Sequence, residues 1–255
     1  MKHWDTYNIQ DSIAEVDAST NLALYMRNAY SEKIEAILNS CFDAGDFVLD
    51  IGCGIGKWVT YLLGKDINCI GIDSSEIAIE KAKTHLEKIS RADAVKMGDA
   101  ARLEFKGKSF DGIISFGLLE HFPDHEKILN DWVSLLKDGG RIVLSVPNAL
   151  RLDWLIWNAL WVHMIRRRRA VTLAPRLRGF VTTFHGYEER WTPRYFTKLC
   201  RRSGLRSIET KTLFTLPAPL FYHLSNRLPS KVFRLLTSEN ESKRWGLYIV
   251  VVARK

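Results

Sequence analysis

Apolar positions along this chain follow two rhythms, and their alternation predicts its architecture. Short apolar runs, the mark of buried strands, occur at Val48–Ile51, Ile67–Ile72, Ala94–Met97, Phe110–Ser115 and Arg141–Val146. Between them apolar residues fall three or four apart, as on one face of a helix: Ile79, Ala82, Leu86 and Ile89, then Ile128, Leu129, Trp132, Leu135 and Leu136. Ser74 and Ser75 are N-cap types before the first of these helices, and Gly139-Gly140 is read as the stop of the second. Upstream, Ile34, Ile37 and Leu38 keep helical spacing until Asp43-Ala44-Gly45 breaks it, so residues 1–45 read as a helical leader. Downstream, Thr192 and Pro193 read as N-cap and first helical position, with Tyr195, Phe196 and Leu199 toward the core. Two long strands, Arg206–Leu213 and Gly246–Ala253, close the chain. Strand–helix alternation of this kind makes a parallel sheet with right-handed crossovers, an α/β fold.

The length of 255 residues and a hydrophobic content of 46% suit a single α/β domain with one elaboration. The expected segments are the leader (1–45), a half carrying the first five strands (46–148), an inserted helical lid (149–192) and a closing part (193–255). Net charge is +8, but it is unevenly placed. From Ala149 to Arg206 there are 13 Lys/Arg against three acids, a surplus of ten that leaves −2 for the rest. Cys41, Cys53, Cys69 and Cys200 form no C-x-x-C pair, which reads as buried, reduced thiols in a cytoplasmic protein and argues against a metal site. Met1-Lys2-His3-Trp4-Asp5 has no apolar signal core, and no run reaches the length of a membrane span.

The chemistry is concentrated in Val48-Leu49-Asp50-Ile51-Gly52-Cys53-Gly54-Ile55-Gly56, a strand ending in a carboxylate followed by alternating glycines and a helix from Lys57. A glycine turn before a helix N-terminus offers free N–H groups to a polar ligand. The dinucleotide spacing is G-x-G-x-x-G, whereas here the third glycine comes one residue early. An acid so close to the turn would repel a pyrophosphate and suits a cationic ligand. The nine residues resemble motif I of the class I S-adenosylmethionine-dependent methyltransferases. That resemblance implies the family's seven-stranded, mostly parallel, doubly wound, Rossmann-like sheet, with S-adenosyl-L-methionine as cofactor and S-adenosyl-L-homocysteine as product. Residue by residue, it implies that Asp50, Gly52 and Gly54 line the methionine end, with Gly56 also among the cofactor-binding residues. It further implies that Asp73, beside Ser74, takes the ribose hydroxyls, that Asp99, beside Ala100, takes the adenine amino group, and that Phe116 passes under the cofactor. Taken singly, Asp73 and Asp99 are also good caps for the helices that follow them.

The acceptor side is less legible. His121, in Leu118-Leu119-Glu120-His121-Phe122, is a candidate base, with loop-fixing or cofactor contact as its alternative; His185 is a second candidate, and Tyr187 a possible acceptor contact. The [Asn/Asp]-Pro-Pro-aromatic tract of enzymes that methylate nucleobase amino groups is replaced by Phe116-Gly117-Leu118-Leu119, which argues against nucleic acid. In the insertion Trp154, Trp157 and Trp161 recur at helical spacing, and Arg166, Arg167, Arg168 and Arg169 follow. Three readings stand: a helix lying in an anionic membrane interface, a lid over the acceptor, or a dimer contact. The expectation is a small-molecule or lipid-like acceptor methylated on oxygen, by a monomer or homodimer, in the cytoplasm or at the inner face of a membrane. A cofactor-binding but catalytically silent scaffold is the other class of function considered.

Overall fold

A computed structural model describes residues 21–150, 189–213, 246 and 248–255, with side chains from Tyr30 onward. Seven strands form one sheet in the order β3-β2-β1-β4-β5-β7-β6. They are β1 (Phe47–Ile51), β2 (Asn68–Asp73), β3 (Val95–Met97), β4 (Phe110–Phe116), β5 (Leu136–Pro147), β6 (Arg206–Leu213) and β7 (Tyr248–Arg254). The first five pair in parallel, and β7 runs antiparallel between β5 and β6. The helices are α1 (Asn21–Cys41), α2 (Lys57–Leu63), α3 (Glu76–Glu87), α4 (His125–Leu135) and α5 (Pro193–Arg202). The α/β sheet expected from the strand–helix alternation is therefore present, wound on both faces.

Alternate strand residues go to opposite layers, and both layers are apolar because both are covered. Ile34 and Leu38 of α1, Val59 and Leu62 of α2, and Ile79 and Leu86 of α3 pack with Val48, Cys69, Ile114, Val143 and Val250. Leu129 and Trp132 of α4 and Phe196 and Leu199 of α5 pack with Leu49, Ile51, Ile113, Leu144 and Val251. The described part of the leader thus packs against the sheet. Its end is fixed where the Phe42 ring lies against Gly112 of β4, a site with no room for a side chain.

Three expectations are corrected. Gly139-Gly140 do not stop a helix: α4 ends at Leu135, and Leu136 already pairs with Phe110 across an irregularity in β4–β5. The strand starts early because Leu136 is fully buried and Lys137 reaches across to Asp111 at 2.8 Å. Ile89 lies beyond the end of α3 and is 46% exposed. Tyr195 does not join the core but points its hydroxyl to His125, at 2.8 Å from Nε2. Thr192 and Ser75 do cap their helices, accepting from Tyr195 N and Ala78 N.

All four cysteines are buried free thiols, and burial raises each pKa, Cys200 to about 12. Among the described residues no helix is long and apolar enough to cross a membrane, and no cluster could hold a metal ion.

Candidate active site

A cavity forms where β1, β2 and β4 end. Gly52, Gly54 and Gly56 all take positive φ, at 79°, 53° and 79°. The amides of Gly52 and Cys53 both donate to the Ile72 carbonyl, at 2.8 and 2.9 Å, folding the turn over the end of β2. Gly54 N donates to Asp73 Oδ2 at 2.9 Å, and Asp73 Oδ1 accepts from Ser75 N at 2.9 Å. Asp73 is thus both a local cap and a tie between β2 and the glycine turn. A carboxylate offers about four acceptor positions in all. Asp99 accepts from Ala101 N at 2.9 Å, and Trp132 Nε1 holds the same loop through the Ala100 carbonyl at 2.8 Å.

A cavity of about 330 Å³ opens here, lined by Gly52, Gly54, Asp73, Ser74, Asp99, Ala100 and Phe116 among the residues expected from sequence. Gly56 and Asp50 are not in its wall. Gly56 is the residue before α2, and a Cβ there would stand 3.1 Å from that of Ala82, so its smallness serves the packing of α2 against α3. Asp50 is 1% exposed, and among the described residues its Oδ2 has no hydrogen-bond partner. Burial, with the Asp73 charge added, pushes its pKa up to about 8. A buried acid without a cation is what a cationic ligand would correct.

Sequence reasoning missed the aromatic side of the cavity. Trp58 lies in the wall with its ring 5.5 Å from that of Phe116, and Lys57 Nζ sits 4.5 Å over the Trp58 ring. Lys57 also donates to Ser31 of α1, which ties the leader to the glycine turn. Leu118 and Phe122 complete the apolar wall. The tryptophan was visible in the sequence only as a helical core position, since nothing in the spacing distinguishes the two.

His121 ends a short 3-10 turn, Leu119–His121, and is half-buried beside the cavity-lining Phe122 rather than in the wall itself. Its neighbour Glu120 is 1% exposed, with Oε1 beneath Gly117. Tyr30 donates to Ser145 Oγ at 3.2 Å, and burial raises its pKa. His125, which the sequence did not single out, is buried between Tyr195 and Glu189, 3.5 Å from the carboxylate, with its ring 4.7 Å from that of Trp191. Trp191 bonds Glu189 at 2.9 Å, and its carbonyl accepts from Ala149 N at 2.8 Å. These contacts fasten both ends of the insertion to the β4–α4 loop and the end of β5. His185, Tyr187, Trp154, Trp157, Trp161 and Arg166 to Arg169 lie outside the described residues.

Comparison with known proteins adds to this geometry. A family model described as methyltransferase domain matches residues 22–210. An uncharacterized protein of Methanocaldococcus jannaschii is 37% identical over 136 residues, and the chain spans only about half (50%) of that relative's length. The ubiquinone biosynthesis O-methyltransferase of Coxiella burnetii is 26% identical over 195 residues, 76% of this chain and 78% of that protein. Among solved structures, phosphoethanolamine N-methyltransferase 2 of Haemonchus contortus, in complex with S-adenosyl-L-methionine, aligns with TM-score 0.57 at 17% identity, covering 84% of this chain and 49% of that one. That last likeness concerns the fold alone.

Proposed function

Because this chain belongs to the S-adenosylmethionine-dependent methyltransferase family, we propose that it methylates an oxygen of a small amphipathic or lipid-linked intermediate, at the cytoplasmic face of an anionic membrane. The observation that carries the cofactor part is the cavity at the ends of β1, β2 and β4, with acids from successive strands. S-adenosyl-L-methionine supplies a sulfonium-activated methyl group. The residues fit it: buried Asp50 Oδ2 lacks a partner, and the ligand's methionine end carries an ammonium. Gly52 and Gly54 would line that end, with buried Asp50, outside the wall and two residues before Gly52, acting on it through its charge; Asp73 and Ser74 would take the ribose, Asp99 and Ala100 the adenine, and Phe116 the surface beneath. Gly56 supports this turn from the packed side.

Trp58, Phe116, Leu118 and Phe122 exclude water and fix the reacting partners, and alignment alone can supply much of the acceleration. An acceptor hydroxyl must also lose a proton, which we assign to His121, with His185 as the second candidate. Support for an oxygen acceptor comes from the Coxiella relative's name. Support for a membrane comes from the insertion, where each basic residue near an anionic surface contributes about 1 kcal/mol, so Arg166–Arg169 would give roughly 4.

The test is transfer of labelled methyl from S-adenosyl-L-methionine into lipid and aqueous extracts in parallel. Label in the lipid fraction is expected; label only in the aqueous fraction refutes the lipid-linked acceptor, and none in either favours the catalytically silent scaffold. Flotation with anionic vesicles should carry the protein upward, and exchanging Arg166–Arg169 for Gln should abolish it. Unchanged flotation would sink the electrostatic attachment.

A further inference from the structure

The starting end of β5 gathers positive charge that the methyl-transfer site does not use. Arg141 of β5 and Arg254 of β7 are direct partners in the antiparallel pair. Like charges placed opposite each other in a sheet cost stability. Both arginines line a second cavity, of about 220 Å³, together with Lys211, Glu209, Ser40 and Ser207. Among the described residues Glu209 is the one carboxylate in that wall, and it is engaged by Lys211 at 3.1 Å. Among the described residues no carboxylate pairs with Arg141 or Arg254.

The arrangement has the parts of an anion site. Arg141 Nη1 donates to the Cys41 carbonyl at the end of α1, satisfying a group that every helix terminus leaves open. A guanidinium carries five N–H donors in a planar fork, so Arg141 keeps others for a ligand while its position is fixed. Arg254 is exposed and Lys211 half-buried, and among the described residues the cavity wall carries three cations against one acid. Two hydroxyls complete the wall.

We infer that this cavity binds a compact oxyanion of the phosphate class, gripped by Arg141, Arg254 and Lys211. Its volume lies below the roughly 300–1,000 Å³ typical of pockets for drug-sized ligands, which favours a single phosphate group over a whole nucleotide. Arginine forks match phosphate geometry two bonds at a time. The site is separate from the methyl donor: Arg141 stands six residues before the cavity end of β5 at Pro147, roughly 20 Å at strand rise. The inference does not depend on which acceptor is methylated.

Thermal unfolding of the full chain tests it, with inorganic phosphate compared against chloride at matched ionic strength. Phosphate should raise the wild-type Tm by about 2 °C or more beyond chloride. Arg254→Gln leaves the α1 cap in place. It should raise Tm in phosphate-free, low-salt buffer by relieving the opposed guanidiniums, and it should remove most of the phosphate increment. Lys211→Gln should weaken that increment as well. Equal increments in wild type and Arg254→Gln, or none beyond chloride in wild type, would overturn the assignment. A phosphate monoester tested beside inorganic phosphate separates the two sources: a larger increment assigns the site to a phosphorylated metabolite, an equal one to free phosphate.

Discussion

Asp50 makes the sharpest quantitative prediction. Its carboxyl is fully buried, and burial together with the Asp73 charge moves its pKa from 3.8 to about 8. In the unfolded chain the group ionises near pH 4, while in the folded chain it holds its proton to about pH 8. The folded state therefore binds the extra proton across that window, and stability falls as pH rises through it. Full stability from this group is present below about pH 4, and the loss is complete above pH 8. Each unit is worth about 1.4 kcal/mol, so between pH 5 and pH 8 the ligand-free protein should lose about 3–4 kcal/mol from Asp50 alone. Asp111 and Asp138 are shifted the other way, Asp111 against its own burial cost by bonds from Lys137 and Phe47 N, Asp138 by Lys108. Their stabilisation is lost only as pH falls below the ordinary carboxylate range, so the windows are separable. Urea unfolding of wild type and Asp50→Asn from pH 5 to pH 9 gives the comparison. The variant should lack the downward slope and gain on wild type by that amount at pH 8. It should also bind the cationic cofactor more weakly, while wild-type affinity climbs with pH up to about 8. A difference in slope under about 1 kcal/mol would refute the claim that a buried, uncompensated acid underlies the turn.

Other consequences are simpler to state. Asp73→Ala removes the acceptor of Gly54 N and the assigned ribose acceptor, a loss of about 2 kcal/mol that calorimetry should read as roughly 30-fold weaker S-adenosyl-L-methionine binding. Gly56→Ala forces a side chain into positive φ and against Ala82, and denaturant unfolding should record a loss of about 1–2 kcal/mol, even without cofactor. Tyr195→Phe deletes the bond to His125 and should cost about 1 kcal/mol in the same experiment. His121→Ala should lower turnover on the identified acceptor by roughly 100-fold or more and remove a basic limb from its pH profile, whereas an unchanged profile would exclude His121 as the base.

What the sequence made legible follows from what short-range pattern encodes. Strands β1, β2 and β4 are buried on both faces, so their apolar runs and the acids and glycines at their ends stand out in the sequence. The start of β5 did not, because Lys137-Asp138-Gly139-Gly140 has the composition of a helix stop, and only the pairing of Leu136 with Phe110 makes it strand. Gly52, Gly54 and Gly56 look alike as letters. The packing of Ala82 against Gly56 separates the third from the other two. Trp58 and Lys57 were hidden because a helix's first turn can face core, solvent or ligand with the same residues. Tyr195 and His125 are 70 positions apart, a separation that no short-range pattern encodes. Ile89 misled for the opposite reason: the helical rhythm continues one step past the end of α3.

The most direct measurement is calorimetric titration of the purified chain with S-adenosyl-L-methionine near pH 7, where Asp50 still holds its proton. One site is expected, with micromolar affinity and a binding enthalpy that changes with buffer ionisation heat because Asp50 releases its proton as the cation arrives. No binding at high micromolar concentration would contradict the reading of the cavity, and binding without proton release would contradict the role given to Asp50.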